Sequence, residues 1–371
     1  MRVLMVTEQY PPDCDGGGGW STYTLAKSLH ESEGIEVKVL ALNQEKVKES
    51  VPVEKIDVAR LPNEIPYYRI KKEVDKRKED FDVVFGQDSL TIPPLAFVDG
   101  IKTVGIIRNY WPVCYKVTLM DNWGNRHKNC GLKCIASVFQ DFAWKTPYKF
   151  YNHHFRSKVS KKLDLLIART HFVKERLQDK GYHDNIEVVY SLIDKEQFRV
   201  DETGDKILHI NPSIHKGIDV TLKTAEMVPD EEFIVAGKEP DEKWVSRKME
   251  ELDNVEFIGF TNDMREVYRD TKIVLMPSQW YEPYGRVPVE AGFSGIPTIA
   301  PDYGGLKESV GLEELLVDEN DSELYAEKIK EINEDYGRFS EVVKEEAEKK
   351  TAEKQLEKVK RILEEEVFSL K

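Results

Sequence analysis

The sequence predicts an α/β protein built as two tandem, doubly wound domains. Three observations lead there. A chain of 371 residues is too long for one ordinary core and suits two domains of roughly 100–200 residues each. Short runs rich in Val, Ile and Leu recur without period-two alternation, as strands covered on both faces of a parallel sheet do. Amphipathic helical stretches separate these runs, which makes βαβ units.

Taken in order, the expected strands of the first half are 3–7, 36–42, 82–86, 104–107, 165–168 and 186–190. Those of the second half are 207–210, 233–236, 255–258, 273–276, 297–300 and 315–317. A mostly polar segment, 191–205, separates the halves, and Lys206-Ile-Leu-His-Ile-Asn211 restarts the pattern. The expected organisation is a first Rossmann-like domain over 1–195, a second over 196–345, and a C-terminal helix over 346–371. The stretch 340–371 reads as one charged helix, with Val343, Ala347, Leu356, Val359, Ile362 and Leu363 forming an imperfect stripe.

Composition narrows the function. The net charge is −14, with 40 % hydrophobic and 33 % charged residues. Such a chain lacks the basic footprint that phosphate backbones require, so nucleic acid is not an expected partner. A small anion is still allowed, because it feels the local field of its pocket. The chain opens on a strand-length apolar run, and no run approaches the roughly 20 apolar residues of a membrane span. The expected location is the cytoplasm, including the inner face of the membrane. Four cysteines are few for a disulfide scaffold of this length.

Four local signals carry chemistry. The run Pro11-Pro-Asp-Cys-Asp-Gly16-Gly-Gly-Gly19-Trp20 follows the first strand and precedes a helix expected from about Ser21. Glycines let backbone approach a ligand, and a helix N-terminus favours anions. The spacing is not the Gly-x-Gly-x-x-Gly dinucleotide fingerprint. The run Trp280-Tyr-Glu282-Pro-Tyr-Gly285-Arg-Val-Pro-Val-Glu290 places two carboxylates with seven residues between them. Glu290 could accept from both hydroxyls of a ribose, and Glu282 from sugar hydroxyls. The amides of Gly285, Arg286 and Val287 could meet a diphosphate. Third, Cys114, His127, Cys130 and Cys134 suit a structural zinc site, a disulfide or inert thiols, and the spacing leaves all three open. Fourth, 142–162 interleaves aromatics with Lys and Arg and contains no acidic residue. Such a segment fits an anionic membrane surface or lipid-diphosphate acceptor, or equally a buried helix with a solvated basic face.

These motifs together resemble the family 4 glycosyltransferases over nearly the whole chain. The resemblance rests on the Pro-Pro…Gly-Gly loop, Asp164-Leu-Leu-Ile-Ala-Arg-Thr170, Ile210-Asn-Pro-Ser-Ile-His-Lys216-Gly217, Phe257-Ile-Gly-Phe260, the Glu282-x7-Glu290 element and Tyr303-Gly-Gly-Leu-Lys-Glu308. It implies a GT-B fold with a cleft between the domains. It also implies transfer of a hexosyl unit, with retention, from a UDP- or GDP-sugar to a glycan, lipid-linked or small-molecule acceptor, with no metal or other cofactor required. By the same resemblance, Lys216 would neutralise the diphosphate, Glu282 would hold the transferred sugar or its phosphate, and Glu290 would hold the ribose. Gly17, Gly18 and Gly19 would border the diphosphate, and backbone at Ile258, Gly259 and Phe260 would meet the base. The last helix would return to the first domain. Two positions depart from the family pattern. Asn211 stands where an Arg is usual, and Arg108 lies in the run that often carries His-Asp. Arg108 cannot be a general base at neutral pH and is expected to stabilise phosphate or sugar. A nucleotide-sugar epimerase of the same fold and a non-catalytic nucleotide-sugar binding protein are the alternatives.

Overall fold

The structure is a computed structural model that describes residues 1–12, 14, 17–58, 64–121, 125–127, 134, 136–137 and 146–365. The chain divides into two compact units. One is Met1–Leu192 together with Ala352–Lys371, and the other is Ile193–Thr351.

The first unit holds β1 (Arg2–Thr7), β2 (Glu36–Leu42), β3 (Val53–Ile56), β4 (Val83–Gly86), β5 (Lys102–Ile107), β6 (Leu165–Ala168) and β7 (Ile186–Val188). They form a parallel sheet in the order β3-β2-β1-β4-β5-β6-β7. Side chains of β1 alternate between two cores, as a pleated strand requires. Val3 and Met5 pack with Leu25 and Leu29 of helix α1 (Gly17–His30), whereas Leu4 and Val6 pack with Ile70, Val74 and Leu95. Both faces are therefore apolar, which is why β1 reads as an unbroken hydrophobic run.

The second unit repeats the plan with β8 (Lys206–Ile210), β9 (Phe233–Ala236), β10 (Val255–Gly259), β11 (Thr271–Leu275), β12 (Thr298–Pro301) and β13 (Leu316–Val317). The order is β10-β9-β8-β11-β12-β13, again parallel. In each sheet the strand order reverses direction beside the first strand, between β1 and β4 and between β8 and β11. In open α/β sheets ligands bind at the carboxyl ends of the strands beside such a switch point.

Three expectations need correction. Helix α1 begins at Gly17 rather than near Ser21, so Gly17, Gly18 and Gly19 form its first turn instead of a loop. Strand β3 was not expected. It is an edge strand whose Glu54 and Lys55 interrupt the apolar pattern, and Glu54 is ion-paired to Lys38 at 2.7 Å and to Arg77. The single helix expected over 340–371 is two helices, Tyr336–Glu348 and Ala352–Leu363. They serve different cores. Phe339 and Val343 belong to the core of the second unit, and Ala352, Val359, Ile362 and Leu363 to that of the first. Buried Lys350 marks the break, and its ammonium donates to the Ser309 carbonyl at 3.1 Å.

Candidate functional site

The second unit brings its site residues together at the switch point between β8 and β11. After β8 the chain makes a left-handed turn at Asn211 (φ 70°), then a short 3-10 turn, Ile214–Lys216. Gly217 (φ 77°) follows, and a Cβ there would overlap the Pro277 carbonyl oxygen. Only glycine lets the loop after β8 press against the loop after β11. The loops are stitched by Gln279 N–H donating to the His215 carbonyl at 2.9 Å and Gln279 Nε2 donating to Asp219 Oδ1 at 2.8 Å.

This stitching delivers Lys216 to Glu282. One carboxylate oxygen, Glu282 Oε1, accepts from Lys216 Nζ, from Ser278 Oγ at 2.9 Å and from Trp280 Nε1 at 2.9 Å. Glu282 is only 5 % exposed, so the three donors replace water around its charge. The ammonium also lies 5.7 Å from the centre of the Trp280 ring, which adds a cation–π attraction. The Glu282 backbone is held from the other side. Gly305 N–H donates to its carbonyl at 2.6 Å, and a Cβ on Gly304 (φ 68°) would lie 2.9 Å from its nitrogen and oxygen. Tyr303 Oη donates to the Ser278 carbonyl at 2.7 Å, and Asn320 Nδ2 donates to the same carbonyl at 3.0 Å.

Glu290 sits in the first turn of the short helix Val287–Gly292, with Pro288 early in it as its fixed φ allows. Its carboxylate pairs with Arg286 at 2.9 Å. Burial pushes the Glu290 carboxyl up from the ordinary carboxylate range, while Arg286 and the Tyr268 hydroxyl oppose that rise. The guanidinium lies 5.8 Å from the centre of the Phe198 ring. Gly285 (φ 79°) precedes this helix, and its lack of a Cβ admits the Leu306 side chain. The structure thus arranges the two glutamates as two ion pairs, Lys216–Glu282 and Arg286–Glu290. Ile258 and Phe260 are exposed at 40 % and 64 %, and Gly259 (φ 75°) has open space where a Cβ would be.

In the first unit, Arg108 follows β5. Its guanidinium donates to the Gly18 carbonyl, to Thr22 Oγ1 at 2.7 Å and to Gln87 Oε1 at 2.6 Å. It therefore grips the first turn of α1. A Cβ on Gly19 would meet Cys14 Cβ and Sγ at 2.6 Å, so this glycine is also needed for packing. Cys114, His127 and Cys134 lie together, and Cys130 lies outside the described residues. Of the basic aromatic segment, 142–145 lie outside the described residues, and the remainder comprises the whole of helix Thr146–Ser160 and the turn after it.

Two family models match consecutive parts of this chain: "Glycosyltransferase Family 4" over 15–197 and "Glycosyl transferases group 1" over 191–350. The chain is a glycosyltransferase whose second half is of the group 1 type. It is 22 % identical over 350 residues to an uncharacterised glycosyltransferase of Methanocaldococcus jannaschii, covering 84 % of this chain and 83 % of that one. It is 23 % identical over 340 residues to an uncharacterised 42.6 kDa protein in the cps region of Klebsiella pneumoniae, covering 83 % and 87 %. The crystal structure of Anabaena HepE in complex with UDP and glucose superposes with a TM-score of 0.73 at 16 % identity, over 98 % of this chain and 99 % of that one. With the two parallel sheets, this likeness shows that the glycosyltransferase has the two-domain GT-B fold.

Several residues that build this candidate site escaped sequence reasoning. His209 on β8 is fully buried, and burial lowers its pKa to about 4, so it is neutral at pH 7. Nε2 lies 3.2 Å from the Asn211 carbonyl and Nδ1 lies 2.8 Å from Thr221 Oγ1. The neutral ring thereby supports the left-handed turn that launches Lys216. Its strand position reads as an interior residue, and no spacing marks it. Ser278 and Asn320 escaped for the same reason, being single polar residues in loops.

Proposed function

We propose that the chain is a retaining family 4 glycosyltransferase that moves a hexosyl unit from a UDP- or GDP-sugar to a glycan, lipid-linked or small-molecule acceptor without a catalytic metal. The observation that carries this reading is the Lys216–Glu282 pair, buried at the β8/β11 switch point and framed by Ser278 and Trp280. Breaking a glycosyl–phosphate bond requires stabilising the departing diphosphate, and a fixed cation in a shielded site does this best. Lys216 supplies that cation. When the diphosphate takes Lys216, Glu282 becomes an acceptor for sugar hydroxyls. Glu290 holds the ribose, and Gly285, Arg286 and Val287 contribute amides and a second positive charge beside the diphosphate. Ile258, Gly259 and Phe260 offer an exposed platform to the base. The UDP bound by Anabaena HepE supports a uridine donor first.

From the first unit the reading keeps Gly17, Gly18 and Gly19 facing phosphate. It makes Arg108 the residue that positions their turn, because its guanidinium is engaged with Gly18, Thr22 and Gln87. The same unit meets an anionic membrane surface where a lipid-linked acceptor resides. Phe155 of helix Thr146–Ser160 lies between the rings of Tyr67, Phe97 and Tyr151, all about 6 Å away. Tyr68, Ile65 and Tyr151 are 68 %, 52 % and 55 % exposed, and Lys162 lies over the Phe97 ring.

A thermal-shift panel of UDP, GDP, ADP, CMP and their sugar conjugates tests the donor site. A ligand at about 100 times its Kd adds roughly 2.7 kcal/mol to folding stability. A shift with one nucleotide family, lost in Lys216→Ala and Glu290→Ala, is the expected result. Equal shifts in the wild type and both variants would place the nucleotide elsewhere.

A further inference from the structure

The segment that leaves β5 carries a second cluster, away from Lys216 and Glu282. The chain turns back through the antiparallel bridge Met120–Arg126, with Asn125 N–H donating to Asp121 Oδ1 at 2.9 Å and His127 N–H donating to the Leu119 carbonyl at 2.9 Å. This turn sets His127 beside Cys114, and Cys134 comes alongside both. The ligand atoms of Cys114, His127 and Cys134 all lie within 4.8 Å of one another. The two Sγ atoms are 3.9 Å apart, and each cysteine is 1 % exposed. His127 Nε2 is buried and has no hydrogen-bond partner among the described residues.

We propose that Cys114, His127 and Cys134 bind a zinc-class divalent cation that staples the loop following β5. Two thiolates on one tetrahedral zinc, each at about 2.3 Å, stand about 3.8 Å apart, close to the spacing seen here. A disulfide needs its sulfurs at about 2.05 Å. Two thiolates cancel the charge of a divalent ion, so the site is neutral overall and suits its burial. The imidazole lone pair gains the partner that the described residues do not provide. Three ligands leave one tetrahedral position for water or a further donor. Cys130 lies outside the described residues and is not one of the three. The role is structural. The loop emerges one residue after β5 with Arg108, so the ion steadies the segment that carries the guanidinium holding α1.

The test uses the full chain, purified under reducing conditions, stripped with a chelator and titrated with Co²⁺ and then Zn²⁺. The expected result is one equivalent bound, a thiolate-to-cobalt charge-transfer band displaced by zinc, and a rise in Tm on zinc addition. Cys114→Ser and Cys134→Ser should lose the band, His127→Ala should weaken uptake at least tenfold, and Cys14→Ser should keep both. If the serine variants do not fold, the wild-type titration decides alone. A stripped wild type that gives no thiolate–cobalt band overturns the proposal. An intact mass lower by two hydrogens with a Cys114–Cys134 cross-linked peptide, or loss of binding in Cys14→Ser, also overturns it. Nucleotide binding is read separately, so failure here leaves the transferase reading untouched.

Discussion

Replacing Lys216 with alanine separates a catalytic cation from a structural one. The substitution removes one of the three donors to Glu282 Oε1 and leaves Ser278 Oγ and Trp280 Nε1, both at 2.9 Å. The Lys216 side chain is 27 % exposed and that of Glu282 is 6 % exposed. Breaking a fully buried pair costs about 3–5 kcal/mol, and an exposed pair is worth about 0–1 kcal/mol. With two donors retained and the ammonium partly solvated, the loss falls between these limits, at about 1–2 kcal/mol. For a unit of this size that lowers Tm by only a few degrees. Losing the charge proposed to stabilise the departing diphosphate is larger. Removing one such preorganised group typically lowers kcat by about 100–1,000-fold, or roughly 2.7–4 kcal/mol. The assay is single-turnover release of nucleoside diphosphate from the donor identified by thermal shift, with Tm measured on the same preparation. A folded Lys216→Ala protein with kcat within about threefold of wild type would refute the assignment.

Three further outcomes follow from the same geometry. His209 has its pKa lowered to about 4 by burial, so the unfolded chain, with an ordinary histidine near 6.5, binds the proton more tightly. The resulting stability is present above about pH 6.5 and is lost as pH falls towards 4. It amounts to roughly 3 kcal/mol at most, and His209→Gln should flatten that limb in urea titrations run between these pH values. Gly217→Ala should cost more than about 2 kcal/mol, because the residue is left-handed and its Cβ overlaps the Pro277 carbonyl. It should also abolish the nucleotide thermal shift by separating the two loops. Tyr68→Asp/Tyr151→Asp should reduce co-flotation with vesicles of anionic phospholipid without changing donor hydrolysis. Unchanged flotation would remove the membrane from the proposed function.

The alternation of apolar runs and helices was enough to read both sheets, because strands covered on two faces advertise themselves as unbroken Val, Ile and Leu. Strand β3 was hidden because an edge strand needs few apolar residues, and Val53-Glu-Lys-Ile56 spends its middle pair on charge. The start of α1 was hidden because glycine is a poor helix former on local propensity. The contacts that make it helical come from Arg108, 90 residues away. Lys216 and Glu282 were each legible as candidates, but their meeting was not. They are 66 residues apart, and only the β8–β11 adjacency with the glycine at 217 joins them. His209 was illegible for the opposite reason, since its role lies in holding backbone and leaves no pattern along the chain.

The two ion pairs bear on how the proposed donor site operates. Each cation assigned to phosphate, Lys216 and Arg286, is already partnered by the glutamate assigned to a neutral hydroxyl group. Binding is then an exchange. A diphosphate takes over the cations, and the carboxylates released from them turn to sugar and ribose hydroxyls. The internal carboxylate holds each cation in place without the cost of an unpaired buried charge. It also sets a threshold, because a ligand must bring enough negative charge to displace it. A nucleoside monophosphate brings less charge than a diphosphate and should compete poorly for Lys216. Replacing Glu282 with Gln lowers that threshold. The variant should therefore bind free nucleoside diphosphate more tightly than wild type while transferring sugar more slowly, a divergence of affinity and rate that simple loss of a binding contact would not produce. Isothermal titration of nucleoside diphosphate against the wild type and Glu282→Gln measures the first half, and single-turnover transfer measures the second. Weaker diphosphate binding in the variant would mean that Glu282 orients Lys216 for phosphate rather than competing with it.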